Sequence, residues 1–135
     1  MRQARDKSEG FTLIELMITM VVVVLVIVGF MGANFAIQRS SEAAYSRTVA
    51  LQDANRVIEA MRNLAASGTF PTNVTGTYSD GGTVSGFSNL TSETVTVSYA
   101  NSSANPLDAT VTVSWSENGV RTVSTSLRTY ITQRA

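Results

Sequence analysis

Between Glu15 and Arg39 the chain carries no formal charge, and the stretch FTLIELMITMVVVVLVIVGFMGA at 11–33 is apolar almost without interruption. As an α-helix this run is about 34 Å long, enough to cross the ~30 Å hydrocarbon core of a bilayer. The four valines Val21 to Val24 make a poor helix in water. In hydrocarbon, however, a helix is the one single-segment conformation that satisfies every backbone donor and acceptor, so the surroundings decide the conformation. Residues 1–10 ahead of it form a short polar leader in which Arg2, Arg5 and Lys7 face Asp6 and Glu9.

The rest of the chain reads differently. No proline interrupts residues 38–67, and Leu51, Ala54, Ile58, Met61 and Ala65 recur at spacings of three and four, the period of an amphipathic helix. Gln52, Arg56, Glu59 and Asn63 fall on another face, where Asp53 and Arg56, then Arg56 and Glu59, stand three residues apart. Gly68 and Pro71 supply the stop. Residues 11–67 thus predict one helix of roughly 85 Å, half of which lies outside any small globular domain.

From residue 68 the composition turns to Ser, Thr, Gly and Asn. Residues 68–90 read as a long connection with short strands, anchored by Tyr78, Val84, Phe87 and Leu90 and containing the turn Ser79-Asp80-Gly81-Gly82. Three alternating segments follow: Val95, Val97 and Tyr99; Val111, Val113 and Trp115; and Val123, Leu127 and Ile131. Each presents one apolar face of a strand. A two-residue loop at Asn118-Gly119 sets the last two apolar faces on opposite sides. A three-residue loop with Gly119 left-handed keeps them together, with Val113 expected opposite Val123, Val111 opposite Thr125 and Ala109 opposite Leu127. The fold class is α+β: a long N-terminal helix packed on a small C-terminal antiparallel sheet, with Leu51, Ile58, Met61, Val111, Val113, Trp115 and Val123 expected at the seam.

Chemistry is narrowly bounded. The chain contains neither cysteine nor histidine, so thiolate sites, disulfides and imidazole bases are excluded, and no serine has a base to activate it. We expect no catalytic residue, cofactor or metal. The Asp80 turn offers too few carboxylates for calcium, which takes six to eight oxygens. The sequons at Asn73, Asn89 and Asn101 arise freely in so Ser/Thr/Asn-rich a segment and receive no role. Ten basic and ten acidic side chains cancel, so direct nucleic-acid binding is not expected.

Glu15 is the outlier. A carboxylate in hydrocarbon costs about 2.5–3.5 kcal/mol at mid-helix and less near the interface, so it calls for a cationic partner. Gly10-Phe11-Thr12-Leu13-Ile14-Glu15 and the apolar run behind it resemble the class III signal of type IV pilins and type II secretion pseudopilins. That resemblance implies a pilin-like fold, cleavage between Gly10 and Phe11 by a membrane prepilin peptidase, and methylation of the new Phe11 amine. The freed amine, on the same chain or an adjacent subunit, is then the partner Glu15 lacks; the family favours the intersubunit pairing, which makes Glu15 a docking residue. Gly29 and Gly32 are expected to mark close helix packing. The prolines many family members carry in this stretch are absent here.

The resemblance divides the chain into a removed leader at 1–10, a membrane and assembly half of the helix at 11–37, an amphipathic half at 38–67 and a periplasmic or extracellular domain at 68–135. It implies other pilin-like subunits, an inner-membrane platform and an assembly ATPase as partners. The location would be the bacterial cytoplasmic membrane, as a single pass, with later entry into a pilus or pseudopilus. The ending VIEAMRN and the last hairpin are similar to minor pilins of the pilus-modification type and to minor I-type pseudopilins. The competing reading is a single-span anchor that displays a periplasmic binding domain, which leaves the Gly10, Phe11 and Glu15 constellation without a purpose.

Overall fold

A computed structural model describes residues 11–117 and 119–133. The chain separates into two compact units, one ending at Ser41 and the other beginning at Glu42. Helix α1 (Leu13–Ala66) supplies the described helix of the first unit and the long helix of the second. It is followed by α2 (Thr72–Thr77), β1 (Thr83–Val84), β2 (Thr94–Tyr99), β3 (Leu107–Glu117) and β4 (Arg121–Ile131). The strands form one antiparallel sheet in the order β1-β2-β3-β4. Helix and sheet together give the α+β, pilin-like layout.

Termination of α1 follows from local chemistry. Gly68 takes a φ of +102°, which side-chain-bearing residues rarely adopt, and the Asn73 amide donates to the carbonyls of Leu64 and Ser67. Orphan carbonyls of the last turn are thereby satisfied. Residues 68–90 are more ordered than a plain connection, because Thr72–Thr77 coil into α2 and bury Val74 against the core.

In the second unit the helix meets the sheet through small side chains. Ala50, Ala54, Val57, Ile58, Met61 and Ala65 are buried on α1, opposed by Val95, Val97 and Tyr99 of β2 and by Leu107, Ala109, Val111, Val113 and Trp115 of β3. The larger Met61 and Val111, both fully buried, fill the seam, and burial of such a side chain stabilises by about 1.5–3 kcal/mol. Val123 and Leu127 of β4 pack against this core while remaining partly exposed.

Two details of the expected packing are corrected. Gly119 does take a left-handed φ of +68°, and the Val120 amide donates to the Glu117 carbonyl at 3.2 Å, closing a three-residue loop between Glu117 and Arg121. The partners, however, sit two residues further along: Val113 faces Thr125, Val111 faces Leu127, Ala109 faces Thr129 and Trp115 faces Val123. The expected pairing of Val113 with Val123 would leave one residue to reverse the chain, which is too tight. A shift of two preserves the faces because side chains alternate with period two.

Leu51 is the second correction: it is 40% exposed and lies outside the core. At 100° per residue it stands about 80° around the helix from Met61, and Asp53 stands about 80° on the other side. Asp53 is only 2% exposed. The difference is the loop before β2, which covers one flank alone. Both Asp53 carboxylate oxygens accept from the Asn89 side-chain amide, at 3.1 and 2.9 Å, while Glu93 Oε2 accepts from the Asn89 and Leu90 backbone amides at 2.8 and 3.1 Å. Arg56 follows the same flank, with its guanidinium 5.9 Å from the Phe87 ring centroid and 4.0 Å from Asp53. Glu59 pairs with Arg62 at 2.6 Å rather than with Arg56.

The Ser79-to-Gly82 turn is fixed to the end of β2. Asp80 Oδ1 accepts from the Tyr99 amide at 2.9 Å, and the Tyr99 hydroxyl donates to the Tyr78 carbonyl at 2.8 Å. A side chain at Gly82 would lie 2.2 Å from Ser79 Oγ, so glycine is required there. Burial pushes the Tyr99 phenol up to about 12, helped by the nearby Asp80 and Tyr78. Its folded value exceeds the ordinary 10.0, so its contribution to stability is complete below pH 10 and is lost as pH rises through 12.

Three outcomes follow for the full chain in detergent, with unfolding read from Trp115, the single tryptophan. Ile58→Ala should cost about 2–5 kcal/mol as a buried cavity, whereas Leu51→Ala should stay within about 1 kcal/mol; equal losses would contradict the one-sided cover. Asn89→Ala, which strips the amide from a buried carboxylate, should cost about 1–3 kcal/mol in urea titrations. In an alkaline titration of tyrosinate absorbance, the step near pH 12 should vanish in Tyr99→Phe; its survival would mean another tyrosine is the buried one.

Candidate processing and assembly site

Helix α1 starts with a side-chain cap that the sequence reading passed over. The Glu15 amide donates to the Thr12 carbonyl at 3.1 Å and lies 3.4 Å from Thr12 Oγ1, and the Leu16 amide donates to the Thr12 carbonyl at 3.2 Å. Thr12 is therefore the N-cap and Glu15 the third helical residue, the Thr-x-x-Glu spacing of a capping box. That spacing was available in the sequence. It places the Glu15 carboxylate in the first turn, where the partial positive charge of the helix end favours an acid by about 0.3–1 kcal/mol.

Phe11 and Thr12 precede the helix, and Phe11 is 79% exposed. A peptide bond on the N-terminal side of Phe11 thus adjoins chain that is not helical. Gly10, the other half of the expected cleavage pair, lies outside the described residues.

Among the described residues of this unit, nothing covers the apolar side chains that follow. Every large apolar residue from Phe11 to Ile37 is at least 53% exposed, on all sides of the helix. Such a surface is buried by hydrocarbon or by other helices, not by water. Helix α1 is long and apolar enough in this part to cross a membrane. Its neutral polar groups are satisfied on their own backbone: Thr19 Oγ1 donates to the Leu16 carbonyl and the Asn34 amide to the Phe30 carbonyl, both at 2.9 Å. The Glu15 carboxylate has no cation within ion-pair distance among the described residues. At Gly29 and Gly32 a side chain would meet nothing within 4 Å, so any packing demand for glycine there comes from another molecule.

Of the other residues singled out by sequence, Ile58, Met61, Val111, Val113 and Trp115 meet in the helix–sheet core and Val123 borders it, in the unit that begins at Glu42. They are scaffold. Among the described residues no three acidic, histidine or cysteine side chains gather where a metal ion could bind. The Asp108 carboxyl, held well below the usual range by its hydrogen bond to Arg128, is a cross-strand ion pair on the exposed sheet face.

Residues 5–31 match the family model of the prokaryotic N-terminal methylation motif. No curated protein and no solved structure matches the chain. The motif is the class III signal, and it implies processing by a prepilin peptidase and assembly with other pilin-like subunits. It points to a structural subunit rather than an enzyme, and with the apolar helix it fits single-pass anchoring in the inner membrane. A methylation signal leading into a long helix, followed in the chain by a four-stranded antiparallel sheet, is a pilin-like layout.

Proposed function

We propose that the protein is a minor subunit, pilin or pseudopilin, of a type IV pilus-like filament. The apolar half of α1 stores it in the cytoplasmic membrane with the sheet domain on the periplasmic side. Cleavage between Gly10 and Phe11 releases an α-amine, which is methylated. In the filament, Glu15 of an incoming subunit meets the Phe11 amine of its neighbour and sets the axial stagger, while the apolar faces around Gly29 and Gly32 pack helix on helix. A platform protein and an assembly ATPase provide the displacement out of the membrane, and the chain itself performs no chemistry.

The observation that carries this reading is Glu15: an acid without a cation among the described residues, held by a helix cap four residues from where the new amine would arise. Both groups are costly apart in hydrocarbon, and their pairing offsets part of both costs. The Thr12 cap supports the same role, because it fixes the direction in which the Glu15 backbone leaves the first turn.

The test is Glu15→Ala in a host with the assembly system. Intact mass should show a chain that begins at methylated Phe11, while incorporation into filaments should fall at least tenfold, since breaking a desolvated ion pair costs about 3–5 kcal/mol. Normal incorporation removes the docking role. A wild-type chain whose mass retains residues 1–10 removes the subunit reading altogether.

A further inference from the structure

β4 forms one edge of the sheet. Its whole length pairs with β3 on one side, and among the described residues no backbone hydrogen bond reaches its other side. Long bare edges invite pairing with another chain, and proteins blunt them with short strands, prolines, bulges or inward-pointing charges. The opposite edge follows that practice, since β1 has two residues. β4 does not: it runs for eleven residues without proline, and its register with β3 is unbroken. Val123, Thr125, Leu127, Thr129 and Ile131 point inward, all uncharged, and all but Ile131 stay partly exposed while the apolar residues of β3 beside them are buried. Its arginines are tied to β3: Arg121 to Glu117 at 2.8 Å, and Arg128 Nε to Asp108 Oδ1 at 2.8 Å. Neither stands as a free charge to repel a strand.

We infer that this edge is an interface between two copies of the chain, in which the β4 strands pair antiparallel about a two-fold axis at Thr125. The strand is self-complementary in that register. Val123 of each copy lies opposite Leu127 of the other on the inward face, Ser124 lies opposite Ser126 on the outward face, and each arginine faces a threonine, Arg121 with Thr129 and Arg128 with Thr122. The same register brings Val120 of one copy level with Tyr130 of the other. Among the described residues that follow α1, these are the two strongly exposed large apolar side chains, at 92% and 61%. Alternatives are worse: a slip of one residue in one direction sets Arg121 directly against Arg128, and slips of two lose the Val123–Leu127 pairs. The inference stands independently of cleavage and filament entry.

Because the chain has no cysteine, the register can be read by single substitutions. Differently tagged Ser124→Cys and Ser126→Cys full-length chains are co-expressed in bacterial membranes and mildly oxidised. Directly opposed residues of an antiparallel pair have Cα atoms about 4.5–5.5 Å apart, within disulfide reach. The mixed dimer should form at least fivefold more than the Ser124→Cys homodimer or the mixed dimer of Ser124→Cys with a control Ser98→Cys on β2. Adding Val120→Asp and Tyr130→Asp should reduce it at least fivefold while Trp115-detected unfolding is unchanged. Equal yields at all positions, no dimer above the control, or cross-links solely to a chain of different mass would each overturn the inference.

Discussion

Hydrocarbon offers a polypeptide no hydrogen-bond partners, and the apolar part of α1 meets that constraint. In α1 the backbone satisfies itself, Thr12 caps the start, and Thr19 and Asn34 return their side chains to the preceding turn. The valine run that would be a poor helix in water is then no liability, because no competing conformation closes its hydrogen bonds in lipid. What the helix cannot provide for itself is a counter-charge for Glu15. That single omission links the physics of the segment to processing, since the removal of residues 1–10 would create an amine at the right end of the chain.

The second unit obeys the opposite rule, with water outside and a packed seam inside. Ala50, Ala54 and Ala65 of α1 and the apolar residues of β3 reach nearly complete burial. One flank of the helix is sealed by the loop that carries Phe87, Asn89 and Glu93, where the Asn89 side chain donates to Asp53 and Glu93 Oε2 accepts from the Asn89 and Leu90 backbone amides.

β4 sits between these regimes. Its inward side chains help close the core, and its outer backbone groups have no partner among the described residues. An apolar helix and a bare sheet edge are chemically distinct surfaces, one satisfied by burial in a low-dielectric medium and the other by backbone hydrogen bonding.

Periodicity was legible in the sequence. The apolar run, the Gly10-Phe11-Glu15 pattern, the stripe through Ala54, Ile58, Met61 and Ala65, the three alternating strands and the Gly119 loop are all local signals, carried by residues a few positions apart. Even the cap at Thr12 was a local signal, present in Thr-Leu-Ile-Glu though not read. The tertiary structure alone decided which flank of α1 was covered, and so buried Asp53 instead of Leu51; it also decided which residues of β4 oppose those of β3, and that Asn73 would close α1. Those outcomes depend on contacts between residues far apart in the chain, where several arrangements share the same local pattern and only the geometry of loop closure and packing distinguishes them.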